Sequence, residues 1–94
     1  MDATNAWARP RLARRVRLRW DSVRRRHVLL MPEKVIVLNE TAAAVLACCD
    51  GNRTTRALIA ELKQRYPSAE VGDDVMAFLQ EATKRGWVEW VLPG

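Results

Sequence analysis

The sequence predicts a small α+β domain in which a three-stranded antiparallel sheet is followed by a three-helix bundle, in a winged-helix-like arrangement. Three observations lead to this fold class. Short apolar segments of strand character come first, and segments with helical periodicity follow them. The connections between the strands are short, so consecutive strands are expected to pair as an antiparallel meander. At 94 residues, the chain has the length of one domain.

The first predicted strand, over residues 16–20, alternates strictly between apolar and charged side chains. This period of two is typical of a strand with one buried face. We therefore expect Val16, Leu18 and Trp20 to face the core. Arg17 and Arg19 are expected to face solvent.

The second and third strands are predicted over residues 27–31 and 34–38, with a tight turn between them. The third strand is β-branched and apolar on both faces, and in the order 1-2-3 it has a free edge. Two interpretations stay open. The strand is either a core strand covered on both faces, or an edge that takes an additional strand from a bound peptide.

Three helices are predicted over residues 40–49, 55–66 and 71–85. Asn39 is a good N-cap for the first helix, because its side-chain oxygen accepts from a first-turn amide. The third helix has four apolar residues at i, i+3, i+4 and i+7, which places them on one face. These residues are Val75, Phe78, Leu79 and Ala82. Residues 87–91 are expected to form a short strand or an extended tail.

The first 12 residues show no periodicity and contain Pro10, so we expect them to be a flexible N-terminal arm. The single domain is accordingly predicted over residues 13–94. The sequence leaves open a homodimer, formed through the free edge of the third strand or through an arm that carries Trp7.

The net charge of +5 is unevenly distributed. Residues 1–34 carry nine arginines and one lysine against three acids, a net charge of +7, and residues 35–94 carry −2. A basic segment of this kind points to an acidic or nucleic-acid partner. The predicted basic partner surface consists of Arg17, Arg19, Arg24, Arg25 and Arg26.

Nucleic acid is not the expected partner, because acidic residues occupy the part of the third helix that would contact DNA. A helix-turn-helix reads DNA with the first part of its second helix. Here that part contains Glu70, Asp73 and Asp74, which would repel phosphates. A winged-helix DNA-binding regulator is kept as the alternative function.

The sequence offers few groups for catalysis. His27 is the only histidine, no cysteine and histidine spacing fits zinc, and there is no glycine-rich phosphate loop. Cys48 and Cys49 are adjacent, so a disulfide between them would be strained and we expect both to be reduced. We therefore expect a protein that is not an enzyme and that holds no metal and no cofactor.

Membrane and export signals are also missing from the sequence. No apolar run approaches the roughly 20 residues of a membrane-spanning helix. The first residues lack the apolar core of a secretory signal. We expect a cytoplasmic protein without a membrane partner.

A specific resemblance lies in the run from Leu29 through LNETAAAVL to CDGNRT, followed by LIAELKQRYP and DDVMAFLQEATKRGWV. This pattern resembles the PqqD family of pyrroloquinoline quinone (PQQ) biosynthesis, over about residues 16–88. The resemblance implies a non-catalytic peptide chaperone, a recognition element for ribosomally made and modified (RiPP) precursor peptides. It implies two partners, the precursor peptide PqqA and the radical SAM enzyme PqqE, to which the peptide is presented.

The resemblance also implies a binding site in which the peptide docks as an extra strand between the third strand and the third helix. On the strand, the implied contacts are Lys34, Val35, Ile36 and Val37. On the helix, they are Asp74, Val75, Met76, Leu79 and Thr83. The register stays open, because a slip of one residue exchanges the faces of a strand. Two interpretations of the basic partner surface stay open: it attracts acidic segments of PqqA or PqqE, or it is simply a solvated basic face.

Overall fold

The computed structural model describes residues 6–67 and 70–92. The elements in chain order are β1 (Arg9–Leu12), β2 (Arg17–Asp21), β3 (Arg26–Met31), β4 (Lys34–Val37), α1 (Glu40–Ala47), α2 (Thr55–Arg65), α3 (Val71–Lys84) and β5 (Val88–Val91). No helix within the described residues is long and apolar enough to cross a membrane.

Strands β2, β3 and β4 form an antiparallel sheet in that order. Arg17 of β2 lies opposite Leu30 of β3, and Leu30 lies opposite Val35 of β4. A two-residue connection turns the chain between β3 and β4. The predicted α+β class, with a three-stranded antiparallel sheet and three helices after it, is therefore confirmed. The likeness to a winged helix stays a prediction.

The three-stranded sheet has one face on the core and one face outward. Directly opposed residues of an antiparallel pair share a face. Leu18, Leu29 and Ile36 are opposed and pack in the apolar core cluster. Trp20 lies on the same face, but it is 57% exposed, because it occupies the hairpin end of β2 outside that cluster. The predicted burial of Trp20 is therefore wrong. The Trp20 indole contacts the His27 ring edge-on, with the ring centroids 5.0 Å apart.

A second, two-stranded sheet pairs β1 with β5, and it corrects the predicted N-terminal arm. Arg9 lies opposite Val91 and Leu12 lies opposite Val88. The other side of β1 is held by the connection between α1 and α2, where the Gly51 amide donates to the Pro10 carbonyl at 2.9 Å. Residues 9–12 are therefore part of the domain, and the prediction of a flexible arm is wrong for them. The prediction for residues 1–5 falls outside the described residues.

The three helices close the core over the sheet, and local sequence signals set their starts. Asn39 caps α1 by accepting from the Ala42 amide at 2.7 Å, as predicted, and Thr54 caps α2. Leu29 of the sheet packs in one cluster with residues from all three helices. Fully buried leucines form its centre, and these are Leu46, Leu58, Leu62 and Leu79.

Candidate functional site

Among the described residues, no strand pairs with the outer edge of β4. The Leu38 amide donates to the His27 carbonyl at 3.0 Å, at the position that follows the Val28–Val37 pair. Opposed pairs in an antiparallel ladder alternate between hydrogen-bonded and non-hydrogen-bonded. Val35 and Val37 therefore occupy non-hydrogen-bonded positions. Their amides and carbonyls point away from β3, toward the free edge of the sheet.

The side chains of this edge are apolar on both faces, as the sequence predicts. Val35 and Val37 are exposed on the outward face of the sheet, at 51% and 47%. Ile36 lies between them and packs partly against the core. An edge with free backbone groups and apolar side chains is a template for pairing with another strand.

An apolar cavity of about 340 Å³ begins where the free edge ends. It lies between α1, the end of α2 and the first half of α3. Asn39, two residues after β4, is at one side, and Asp74 and Phe78 of α3 are at the other. Further lining residues are Thr41, Ala42, Val45, Tyr66, Val71 and Val75. The site as a whole combines backbone donors on a strand with an apolar cavity between helices.

The structure brings together only some of the residues implied by the family resemblance. Asp74 and Val75 line the cavity, whereas Met76 lines a separate cavity against α2. Leu79 is fully buried in the core. The Thr83 hydroxyl is occupied internally, since it donates to the Leu79 carbonyl at 2.6 Å. In the described chain, Lys34–Val37 form the edge strand and do not line the cavity.

Phe78 lines the cavity, a role that the sequence did not predict; its spacing placed it only on the apolar face of the third helix. It is half-buried and lies one turn after Asp74 on the same side of α3. The only sequence signal for this position was the spacing of four residues between Phe78 and Asp74, which puts both on one side of the helix. It was insufficient because Phe78 also fits the period of the buried residues Val75, Leu79 and Ala82.

The five arginines of the basic partner surface are all exposed, but they differ in their surroundings. Arg24 is paired with Asp21 at 2.6 Å. The Arg24 amide, and then its guanidinium, lower the pKa of the Asp21 carboxyl. Arg17 and Arg19 lie on the outward face of β2, and neither has a carboxylate within 4.0 Å among the described residues.

The described residues contain no group of three or more potential metal ligands. The two thiols are buried and free. Burial, and then the neighbouring Cys48, raise the pKa of the Cys49 thiol to about 12. The protonated thiol donates to the Val45 carbonyl at 3.3 Å and is a poor nucleophile.

The sheet thus has an unpaired edge at β4 that lies beside an apolar cavity, and such an edge is typical of small domains that bind extended peptides. The family model described as "Coenzyme PQQ synthesis protein D (PqqD)" matches residues 26–88. This chain therefore belongs to the PqqD family.

Curated relatives and a solved structure are similar over most of the chain. A "PqqA binding protein" of Stutzerimonas stutzeri (strain A1501) is 48% identical over 81 residues, covering 85% of this chain and 88% of that protein. One of Klebsiella pneumoniae (strain 342) is 48% identical over 73 residues, covering 77% and 79%. Both relatives are named for binding and not for a catalytic activity.

The structural relative is the solution NMR structure of the PqqD truncation of Methylobacterium extorquens PqqCD. It is described as a functional and stand-alone RiPP recognition element. It is 38% identical, with a TM-score of 0.70, and the match covers 85% of this chain and 87% of that one.

Proposed function

We propose that this chain is a PqqA-binding protein of PQQ synthesis, which adds the precursor peptide as a strand to β4 and presents it to the radical SAM enzyme PqqE. The single observation that carries this proposal is the free edge of β4. There the amides and carbonyls of Val35 and Val37 are left without partners in the sheet. The binding role named for the relatives from Stutzerimonas and Klebsiella supports the same conclusion.

In strand addition, backbone hydrogen bonds supply affinity and side-chain contacts supply selectivity. The backbone groups of Val35 and Val37 supply hydrogen bonds that do not depend on the peptide sequence. Selection then comes from alternate peptide side chains, which point to opposite faces. Those on the core-facing side reach the cavity beside Asp74, Val75 and Phe78. Met76, Leu79 and Thr83 hold α3 in place instead.

Presentation requires no chemistry from this chain. Holding the peptide near the enzyme raises the local concentration of the substrate, which increases occupancy of the enzyme without a new contact at the reacting atoms. The free thiols of Cys48 and Cys49 fit a reducing compartment, and we place this function in the cytoplasm.

The test is a calorimetric titration of the protein with synthetic PqqA, for the wild type, Val37→Pro and Val37→Thr. Proline removes the outward amide of Val37 without removing a hydrogen bond to β3. Threonine keeps that amide and the branched shape. We expect Val37→Pro to weaken binding at least about tenfold, the equivalent of roughly one hydrogen bond, while Val37→Thr binds like the wild type. A folded Val37→Pro variant with unchanged affinity would contradict strand addition at this edge.

Two further measurements cover the alternatives predicted from the sequence. Size determination of the free protein detects a homodimer that occupies the β4 edge. A titration with a DNA duplex at low salt tests the DNA-binding regulator. The exposed Asp73 and Asp74 in the first turn of α3 predict no binding there.

A further inference from the structure

The outward face of the three-stranded sheet forms a second surface, distinct from the β4 edge. Opposed residues run across it in two rows, Arg17–Leu30–Val35 and Arg19–Val28–Val37. We call these six residues the outer sheet face. Its rows begin with an arginine on β2 and end with a valine on β4.

The outer sheet face carries exposed apolar side chains on β3 and β4. Leu30, Val35 and Val37 are each between 36% and 51% exposed. Val28 is buried and is not a member of the core cluster. The helices pack against the opposite face, where Leu29 belongs to the core cluster. A contiguous apolar group of this kind on a small domain marks an interaction surface.

The arginine side of the outer sheet face is free to pair with a partner. The Arg17 guanidinium donates to the Val16 carbonyl at 3.3 Å, and that of Arg19 donates to the Leu18 carbonyl at 3.0 Å. Among the described residues, no carboxylate lies within 4.0 Å of either group. Two unpaired guanidinium groups beside an apolar centre are complementary to an apolar surface with an acidic rim.

We infer that the outer sheet face is the docking surface for a folded partner protein with an apolar centre and an acidic rim, and that the bound peptide completes this surface. The inference rests on the proposed function. A strand added to β4 extends the sheet, and every second peptide side chain then lies beside Val35 and Val37 on this face. The partner therefore contacts this chain and its peptide together, and it distinguishes the loaded protein from the free one.

A second copy of this chain is a poor occupant for the same surface. Two outer sheet faces packed against each other would bring Arg17 and Arg19 of both copies into one interface. Like charges without acidic partners disfavour such an interface. The charge pattern selects a different protein, and under the proposed function the probe is PqqE.

The experiment measures binding of PqqE to the protein saturated with PqqA, by biolayer interferometry with full-length chains. The variants are Leu30→Gln, which makes the centre of the outer sheet face polar, and Arg19→Glu, which reverses a rim charge. Lys63→Glu on α2 is the control for the same change of charge away from the sheet. Each variant is also titrated with PqqA alone, and its fold is checked by thermal unfolding.

We expect Leu30→Gln, at the centre of the face, and Arg19→Glu, at its rim, each to weaken PqqE binding by about tenfold. Leu30→Gln should leave the affinity for PqqA unchanged. The Arg19→Glu effect should shrink at high salt. Lys63→Glu should behave like the wild type, and the wild type should bind PqqE more tightly with PqqA than without it.

Three other results would overturn the inference, and they separate it from the proposed function. Unchanged PqqE binding by both variants rejects the outer sheet face and leaves strand addition and presentation intact. Loss of PqqA affinity in Arg19→Glu assigns the arginine to the peptide instead. Absence of PqqE binding by the loaded wild type rejects presentation itself, and with it this inference.

Discussion

The indole nitrogen of Trp90 donates a hydrogen bond to the Thr83 hydroxyl at 2.9 Å. The same hydroxyl donates to the Leu79 carbonyl at 2.6 Å. This chain of two hydrogen bonds ties β5 to the last turns of α3 and fixes the helix that forms one wall of the cavity.

Replacing Thr83 with valine should therefore reduce stability and leave peptide binding unchanged. The substitution keeps the shape of the side chain but leaves the partly buried indole N–H of Trp90 without its acceptor, which costs about 1 kcal/mol. Thr83→Ser retains the hydroxyl and is the matched control. Urea unfolding and a PqqA titration measure the two effects. An undisturbed fold with weakened peptide binding would instead support the contact that the family resemblance implies for Thr83.

Proline substitutions along β4 should alternate in their effect on folding. The Ile36 amide lies in the ladder with β3, whereas the Val35 amide points to the free edge. Ile36→Pro should lower the free energy of unfolding by at least about 1 kcal/mol more than Val35→Pro, because it also removes a ladder hydrogen bond. Circular dichroism during thermal unfolding measures the difference. Equal destabilisation by both substitutions would contradict the assigned direction of these amides.

Phe78→Ala should weaken peptide binding, because it removes the aromatic ring from the cavity wall. We expect a loss of roughly tenfold in affinity, the effect of truncating a partly desolvated aromatic anchor. Met76→Ala is the control, since Met76 is also half-buried on α3 but lines the separate cavity against α2. Calorimetric titration with PqqA compares the two. A larger loss for Met76→Ala than for Phe78→Ala would place the peptide on the other side of α3.

The Cys49 thiol should make stability fall at alkaline pH. An unfolded cysteine titrates at a pKa of about 8.5. In the folded protein, burial raises the pKa of Cys49 to about 12. Between these values the unfolded state has lost a proton that the folded state keeps. The free energy of unfolding therefore falls as pH rises, by at most about 1.4 kcal/mol per pH unit, and the contribution is complete below the lower value.

Urea unfolding between about pH 8 and pH 10 measures this slope. Cys49→Ala is the comparison, because it removes this thiol and leaves the rest of the chain unchanged. The wild type should lose more stability with rising pH than the variant. Identical slopes would show that the Cys49 thiol is not protected by its burial.

The strands and helices that the sequence predicted are those with a local signal. The alternation around Leu18, the Asn39 cap and the apolar period of α3 each depend on neighbours in the chain. Strand β1 has no such signal, since Pro10 interrupts it and its partners are distant. It is held by pairs such as the ion pair between Arg11 Nε and Glu89 Oε1, at 2.7 Å.

The candidate site was also predictable only where a local sequence pattern marks it. The apolar character of Val35 and Val37 is visible in the sequence, but it left a covered core strand and an edge for strand addition equally open. The sequence could not predict which residues of α3 line the cavity. Met76, Leu79 and Thr83 lie on the same helix, but different parts of the fold pack against each of them. Their burial depends on α2 and β5, which no local pattern of α3 encodes.

The pairing of β1 with β5 has a consequence for how this domain joins other chains. Arg9 and Val91 lie side by side in one ladder, so β1 begins beside the end of β5. That ladder belongs to the two-stranded sheet, whereas β4 belongs to the other sheet. A short linker from the end of β5 to the start of β1 should therefore permit circular permutation without disturbing the β4 edge.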